Sequence, residues 1–445
     1  MKKILQALYL RHRTYYALAV VICLYILTFI FHLTLWVGHV GLILVLALLA
    51  TDIYLLFRTK KGVQTQRILP EKLSNGDENP SKIYLQNNYT FTIHAEIIDE
   101  VPYQFQMRDF KIHRTLPAGQ NIALQYTLQP KTRGQYHFGK LNTYVSTPLG
   151  VAARRYITQQ GQMVPSYPSF IHLPRYSLMA LQNEFLLGGI KKTRRIGHTM
   201  EFEQIKDYVS GDDIRSINWK ATGKRNQLMV NQYQEEKSQR IYMLIDQGRT
   251  MKMPFEQLTL LDYSINAAMA LSHIVLQKND HAGVMTFSRN LATKVPAAAQ
   301  QGQLRKIADS LYHVQTDFAE SDFHRLYIDL KKHLTRRSLI ILFSNFETLD
   351  AMHRQLTYLR AIAKNHLLVI VFFKNNLITG MTQNHNPENI KEIFDQIIAE
   401  KFEYEKKLIR QELQKYGIHS IYTAPENLSI EVINKYLEIK ARSLL

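Results

Sequence analysis

A chain of 445 residues is too long for one hydrophobic core and suits two folded domains with additional segments. Hydrophobic residues make up 46% and aromatics 11%, which excludes a disordered protein, while a net charge of +18 calls for an anionic neighbour, nucleic acid or lipid. The single cysteine, Cys23, excludes an intramolecular disulfide and a cysteine-built zinc site.

Tyr15 to Leu33 reads YYALAVVICLYILTFIFHL without a charge, and Leu35 to Phe57 reads LWVGHVGLILVLALLATDIYLLF, interrupted only by Asp52. Each run matches the ~20 residues that carry a helix across a bilayer core. A cleaved signal peptide followed by one anchor is the alternative, but the first run is too long for a signal's apolar region and lacks a small-residue cleavage site. The very short connection makes the pair a hairpin. Lys2, Lys3, Arg11 and Arg13 precede it and Arg58, Lys60, Lys61 and Arg67 follow it, while the turn carries His32 and His39 but no Lys or Arg. The positive-inside rule then puts both ends, and the whole remainder, on the cytoplasmic side. Lipid is therefore favoured over nucleic acid as the anionic neighbour. The glycosylation sequons at Asn88 and Asn427 carry no meaning on that side.

Residues 63–175 change character. Runs such as KIYLQNNYTFTIHAEII, NIALQYTLQP and GQYHFGKLNTYV are separated by SNGDENP, PAGQ and KTRG, a pattern that predicts an antiparallel β-sandwich. The stretch from Gly134 to Lys140 has the spacing of a phosphate-binding loop. It continues with Leu141 instead of a hydroxyl residue and leads into a strand, so it reads as a glycine-bounded hairpin.

Residues 176–237 form a linking segment that begins inside a helical run, LPRYSLMALQNEFLLGG. Lys191, Lys192, Arg194 and Arg195 come next, a cluster that either touches phosphate or is a solvated loop. From residue 238 onward the pattern is regular. RIYMLID, HAGVMTFS, SLIILFS, HLLVIVFF and HSIYTAP read as strands, with NLATKVPA pairing beside the second. Between them, helical periodicity covers 254–277, 302–314, 322–334, 349–364, 386–417 and 426–445. Strands alternating with helices predict a doubly wound, mostly parallel α/β domain.

Ligands on such sheets sit beyond the carboxyl ends of the strands. Asp246, with Thr250 four residues on, follows the first strand, and Ser344-Asn345 follows SLIILFS. Asp246, Thr250 and the Asn345 carbonyl, with Thr316 or Ser321 from the intervening segment, are oxygen donors of the kind magnesium takes. The competing reading is that Asp246 caps a turn, as Asp, Thr and Asn commonly do.

The densest stretch runs from Arg195 to Gln239. Glu201, Asp212 and Asp213 read either as metal ligands or acid/base groups, or as members of an ion-pair network with Arg215, Lys220 and Arg225. Trp219, Tyr208 and Phe202 add aromatic surface suited to packing between domains. His198 lies on a predicted loop, and no nucleophile accompanies it, so catalysis is not expected here.

This stretch resembles the signature of the domain-of-unknown-function-58 family of bacterial membrane-associated proteins. The matching residues are Glu201-Phe202, Tyr208, Gly211-Asp212-Asp213, Arg215, Ile217, Asn218-Trp219, Ala221-Thr222, Leu228, Val230 and Glu235-Glu236. The hairpin and the segment Ser146-Thr-Pro148-Leu-Gly150 agree with it. The resemblance implies a von Willebrand factor A-like C-terminal domain with a degenerate metal-ion-dependent adhesion site. Gly248 replaces the first Ser of its Asp-x-Ser-x-Ser pattern, Thr250 the second, and Asn345 stands where Asp is expected. It also implies association with a MoxR-type AAA+ ATPase in assembling or maturing client proteins. The expected function is thus a non-enzymatic, membrane-anchored scaffold binding that ATPase or its client. The signature segment would fix one domain against the other. A metal-dependent hydrolase using Asp212, Asp213 and Asp246 is the alternative.

Overall fold

The structure is a computed structural model that describes the chain apart from residues 1–5, 32–35, 109, 160, 188–199, 211, 236–237, 376–389, 443 and 445; residues 159, 181–187, 200–204 and 232–235 are described by backbone alone. It divides into two compact units, Met1–Tyr167 and Pro168–Leu445. The basic cluster at 191–195, His198, Gly211 and Glu236 lie outside the described residues.

In the first unit, alternating apolar and polar residues give strands with one buried face, as in Val63–Ile68, where Val63, Thr65 and Arg67 point inward. A five-stranded sheet runs in the order Leu8–Leu10, Ala152–Gln159, Leu141–Ser146, Ile93–Asp99, Lys111–Leu116, every pair antiparallel. A three-stranded antiparallel sheet joins Val63–Ile68, Asn79–Asn87 and Asn121–Leu128. Ile83, Leu85 and Leu124 of the second sheet share one core with Ile93, Ile97, Leu141 and Val145 of the first. A third sheet contains the parallel pair of Leu73–Ser74 with Gln162–Tyr167, a departure from the antiparallel expectation. Gly134–Phe138 is a strand of that sheet, so the phosphate-loop spacing there is the hairpin expected of it. Arg67 is buried without residual exposure because its guanidinium pairs with Asp99 and lies 5.0 Å from the centre of the Phe138 ring. Burial pushes the Asp99 carboxyl up against the pull of that guanidinium.

The second unit is built on a six-stranded sheet ordered Leu291–Ala298, His281–Phe287, Arg240–Asp246, Leu339–Phe343, Leu367–Phe373, His419–Thr423. The first of these is antiparallel and the rest are parallel. The uninterrupted Ile, Leu and Val of the inner strands follow from burial on both faces. Tyr242, Leu244, Ile340, Leu342, Ile370 and Phe372 enter one core with helices Phe323–His333, Leu349–Asn365 and Ile390–Lys415. Helix Leu260–Gln277 packs on the sheet outside that core, with Leu428–Ala441 against it. The helical run read from residue 254 starts later. Pro254–Phe255 and Leu258–Thr259 form a small hairpin around Glu256 (φ 51°), and the helix begins at Leu260, where Thr259 and Asp262 make a capping box.

The apolar runs at the N-terminus form helices His12–Ile30 and Trp36–Arg58, each long and apolar enough to cross a membrane. Gly38 and Gly41 let them approach: a Cβ on Gly38 would lie 2.5 Å from the Tyr25 ring. Asp52 does not simply interrupt the second helix. It is fully buried, accepting hydrogen bonds from the Thr147 hydroxyl, the Val151 N–H (3.0 Å) and the Ala152 N–H (2.7 Å). On either side of it, Leu49, Ile53, Leu56 and Phe57 join the β core, and Arg154 closes the helix end by donating to the Leu56 and Thr59 carbonyls at 2.7 Å.

Asp52→Ala strands two backbone N–H groups that cannot turn elsewhere, at a cost of about 2–4 kcal/mol. The denaturation midpoint of the detergent-solubilised chain should fall accordingly, and Thr147→Ala should lower it less. An unchanged midpoint in Asp52→Ala would show that the helix is not held there.

Candidate functional site at the carboxyl edge of the parallel sheet

From Arg240–Asp246 the chain goes first to His281–Phe287 on one side and later to Leu339–Phe343 on the other. Connections leaving in opposite directions open a crevice at the carboxyl ends of the two diverging strands, the usual ligand position in open α/β sheets. Asp246 and Ser344-Asn345 lie there. Asp246 is 2% exposed. Its Oδ1 accepts from the Ser321 hydroxyl and from the Gly248 N–H (2.8 Å), and its Oδ2 accepts from the Ser344 hydroxyl (2.7 Å). Burial raises its carboxyl above the usual range, against the lowering effect of these three donors.

The loop that supplies Ser321 is stitched across the strand ends. Arg249 N–H donates to the Ala319 carbonyl (2.9 Å), Asp322 N–H to the Ser288 carbonyl (2.8 Å), and the Ser288 hydroxyl to Asp317. Gly248 is required by space: a Cβ there would stand 2.1 Å from Ser321 Oγ. Of the donors expected to surround a cation, the structure brings Ser321 to Asp246. Among the described residues no hydrogen bond joins Thr250 or Thr316 to it. Asn345 is 8% exposed, and its Oδ1 is buried without a hydrogen-bond partner. One carboxylate, two hydroxyls and an orphaned amide oxygen are hard donors that fit magnesium, with only one of them charged.

Beside Asn345 is a cavity of about 200 Å³, walled by Phe255, Leu260, Phe373 and Tyr422 and reached by Lys406. Burial depresses the Lys406 ammonium to about 8, and it donates to the Phe346 carbonyl. The sequence reading missed Lys406. The signal was its place at i−3 and i−7 from Ile409 and Leu413, inside the buried stripe of helix Ile390–Lys415.

The signature stretch folds as a hairpin of Met200–Asp207 with Met229–Glu235, capped by a 3₁₀ turn at Ile214–Ser216 and a short helix at Trp219–Arg225. Glu201 pairs with Gln234, Phe202 with Tyr233, and Glu235 with Met200, in backbone register. Asp212 accepts from Lys206 (2.9 Å) and the Val209 N–H (3.1 Å), and Lys206 holds its carboxyl below the usual range. Asp213 caps the 3₁₀ turn through the Arg215 N–H (3.0 Å). Asn218 caps the short helix through the Ala221 N–H (3.0 Å), and Thr222 accepts from the Met229 N–H (3.0 Å). Tyr208 N–H donates to the Leu228 carbonyl, and Ile217 bridges Val230. The ion pair here is Lys206–Asp212. Among the described residues Arg215, Lys220 and Arg225 form none, and the side chain of Glu201, the third acid of the expected network, lies outside the described residues. Trp219 is 70% exposed. Nor do Asp212, Asp213 and Asp246 converge: among the described residues no group of three metal-ligating side chains is found.

Fold and site together define an α/β protein with an oxygen-rich cluster at the switch point of its sheet and a turn-capped hairpin preceding it. Residues 204–387 match the family described as protein of unknown function DUF58. The family expected from the signature is thus the one found. A curated relative, the uncharacterized protein YeaD of Bacillus subtilis (strain 168), is 21% identical over 169 residues, 38% of this chain and 40% of its own length. Among solved structures, the conserved hypothetical protein BatB from Bacteroides thetaiotaomicron is 10% identical with a TM-score of 0.27, covering 46% of this chain and 98% of that one. A PapD-like domain of human CEP192 is 14% identical with a TM-score of 0.17, covering 25% and 86%. Both scores lie below the level of a shared fold.

Gly248→Ser should force Ser321 off Asp246 and lower stability by about 1–3 kcal/mol. Adding Ser321→Ala removes the clash and leaves the new serine to donate instead, so the double variant should unfold nearer to wild type than Gly248→Ser does. Additive losses in urea titrations would show that the two side chains do not compete for one space.

Proposed function

We propose that this chain is a non-enzymatic scaffold, anchored by two spans in a bacterial inner membrane with both ends cytoplasmic. It would carry an antiparallel β-sandwich and a von Willebrand factor A-like domain that binds protein partners. The partner would be a MoxR-type AAA+ ATPase or that ATPase's client, and the contact would form at the crevice of Asp246. The observation that carries the reading is the state of Asp246 itself. A carboxylate buried to this degree and met by three donors is placed to hold a cation or a fixed loop geometry, and is poorly placed to exchange protons with a substrate. The apolar cavity beside Asn345 adds a recess suited to a partner's side chain. Where magnesium binds, Asp246, Ser321, Ser344 and Asn345 would hold it, and it would supply a positive charge for an acidic partner group.

A hydrolase using Asp212, Asp213 and Asp246 has less support, because Asp212 is engaged by Lys206 and Asp213 caps its own turn. The basic residues flanking the two helices favour lipid over nucleic acid as the anionic neighbour.

Affinity purification from solubilised membranes tests the scaffold. Wild type should recover an AAA+ ATPase, and Asp246→Ala should lose it. Recovery with both would place the contact away from this crevice, whereas turnover of a substrate with no partner recovered would replace the scaffold by the hydrolase. Magnesium should raise the melting temperature of wild type and leave Asp246→Ala unmoved; equal responses would remove the cation from the site.

A further inference from the structure

The two apolar helices leave the first unit at one common level. The Thr14 hydroxyl donates to the Val151 carbonyl, while Asp52 receives the Val151 N–H. Arg11 N–H also donates to the Val151 carbonyl (3.1 Å), and Leu8–Leu10 continues downward as a strand beside Ala152–Arg154. Below Thr14 and Asp52, Leu8, Ile53, Leu56 and Phe57 pack into the β core. Above that level the helices carry exposed apolar side chains, among them Val20, Ile22 and Ile26 on one and Val40, Ile43 and Leu44 on the other.

The free length above the level is about 16 residues per helix, roughly 24 Å at the α-helical rise. A bilayer core is about 30 Å thick. The apolar length is therefore short by several ångströms, and it is covered best when the level of Val151 sits against the lipid instead of below it in water. The groups at this level suit such a position. Leu149 is 42% exposed on the Thr147–Val151 loop, and the Arg13 guanidinium holds that loop through the Pro148 and Leu149 carbonyls at 3.3 and 3.0 Å. Tyr15, Tyr16 and Tyr54 stand exposed around the two helices just above and below it. Exposed tyrosines gathered at one height are the marks of an interfacial belt.

We propose that the Thr147–Val151 loop, with Tyr15, Tyr16 and Tyr54, is a lipid-contacting rim that seats the β unit in the phospholipid headgroup layer. The inference rests on the two-span reading of the helices and goes beyond it. A tethered domain would hang free of the membrane, whereas this one is held against it by Asp52, Thr14 and Arg13. The rim assigns a role to the Ser146–Gly150 motif, whose proline and leucine face outward while Thr147 anchors the helix.

The test uses the full chain in vesicles of phosphatidylcholine and phosphatidylglycerol, with an environment-sensitive fluorophore on single cysteines. Native Cys23, exposed midway along the first helix, reports whether the hairpin is in the bilayer. Leu149→Cys and Tyr16→Cys, each combined with Cys23→Ser, report the rim. Tyr103→Cys in the same background reports solvent, since it is 86% exposed beyond the opposite end of strand Ile93–Asp99. Acyl-chain spin labels should quench the Cys23 probe. Headgroup spin labels should quench the Leu149 and Tyr16 probes several-fold more strongly than the Tyr103 probe. Equal quenching at Leu149 and Tyr103, with Cys23 still quenched from the acyl chains, would overturn the rim alone. A Cys23 probe insensitive to acyl-chain labels would overturn the two-span reading, and the rim with it.

Discussion

A carboxylate withdrawn from water must be met by donors or by a cation, and this constraint fixes where the chain is tied together. Four aspartates obey it. Asp52 gathers the loop Thr147–Ala152 onto a helix end, and Asp99 gathers Arg67 and Tyr126 inside the β core. Asp246 gathers Ser321 and Ser344 across the strand ends. Asp280, 1% exposed, takes the Gln239 N–H (2.9 Å), the Tyr436 hydroxyl and the Lys440 ammonium (2.8 Å), binding the entry to the first parallel strand to the final helix. In each case donors come from segments distant in sequence, so each site is formed only by the finished fold.

That distance explains what the sequence could and could not disclose. The apolar helices and the strands RIYMLID, SLIILFS and HLLVIVFF were legible because their signal is local: length, periodicity and the absence of breakers. The order of the six strands then follows from alternating strands and helices only in outline, since nothing local says on which side each new strand joins. Asp52 read as a flaw in a span because its partners are roughly a hundred positions away. Gly248 read as a missing hydroxyl, although the space that excludes a side chain there belongs to Ser321. Thr250 and Thr316 were chosen by residue type and loop position, which do not determine where an oxygen points. The early start assigned to the helix at Leu260 has the opposite origin: periodicity continued through Phe255 and Leu258, and the capping pair Thr259–Asp262 was the stronger local signal.

The signature hairpin shows why a dense polar motif need not mean chemistry. Asp213, Asn218 and Thr222 each accept a backbone N–H within seven residues, and Asp212 closes the turn before them with Lys206. These side chains hold a two-strand unit whose own apolar burial is slight, limited among the described residues to Met229 and Val230. The polar residues face the turn's own backbone. Among the residues left exposed are three large apolar ones, Val209, Ile214 and Trp219.

The short strand Leu8–Leu10 has a consequence for how the molecule is made. It forms the outer edge of the five-stranded sheet, and among the described residues its only strand neighbour is Ala152–Gln159, one of the last strands of the unit to be synthesised. Until the ribosome has delivered residues 147–154, the helix ending at Arg58 carries a carboxylate with none of its eventual donors, and the edge strand has nothing to pair with. The first unit therefore closes around elements made well before it, and that closure joins residues 8–10 to residues 152–154. A fragment cut free of the helices would be missing the pieces around which that closure occurs, with a bare sheet edge in their place.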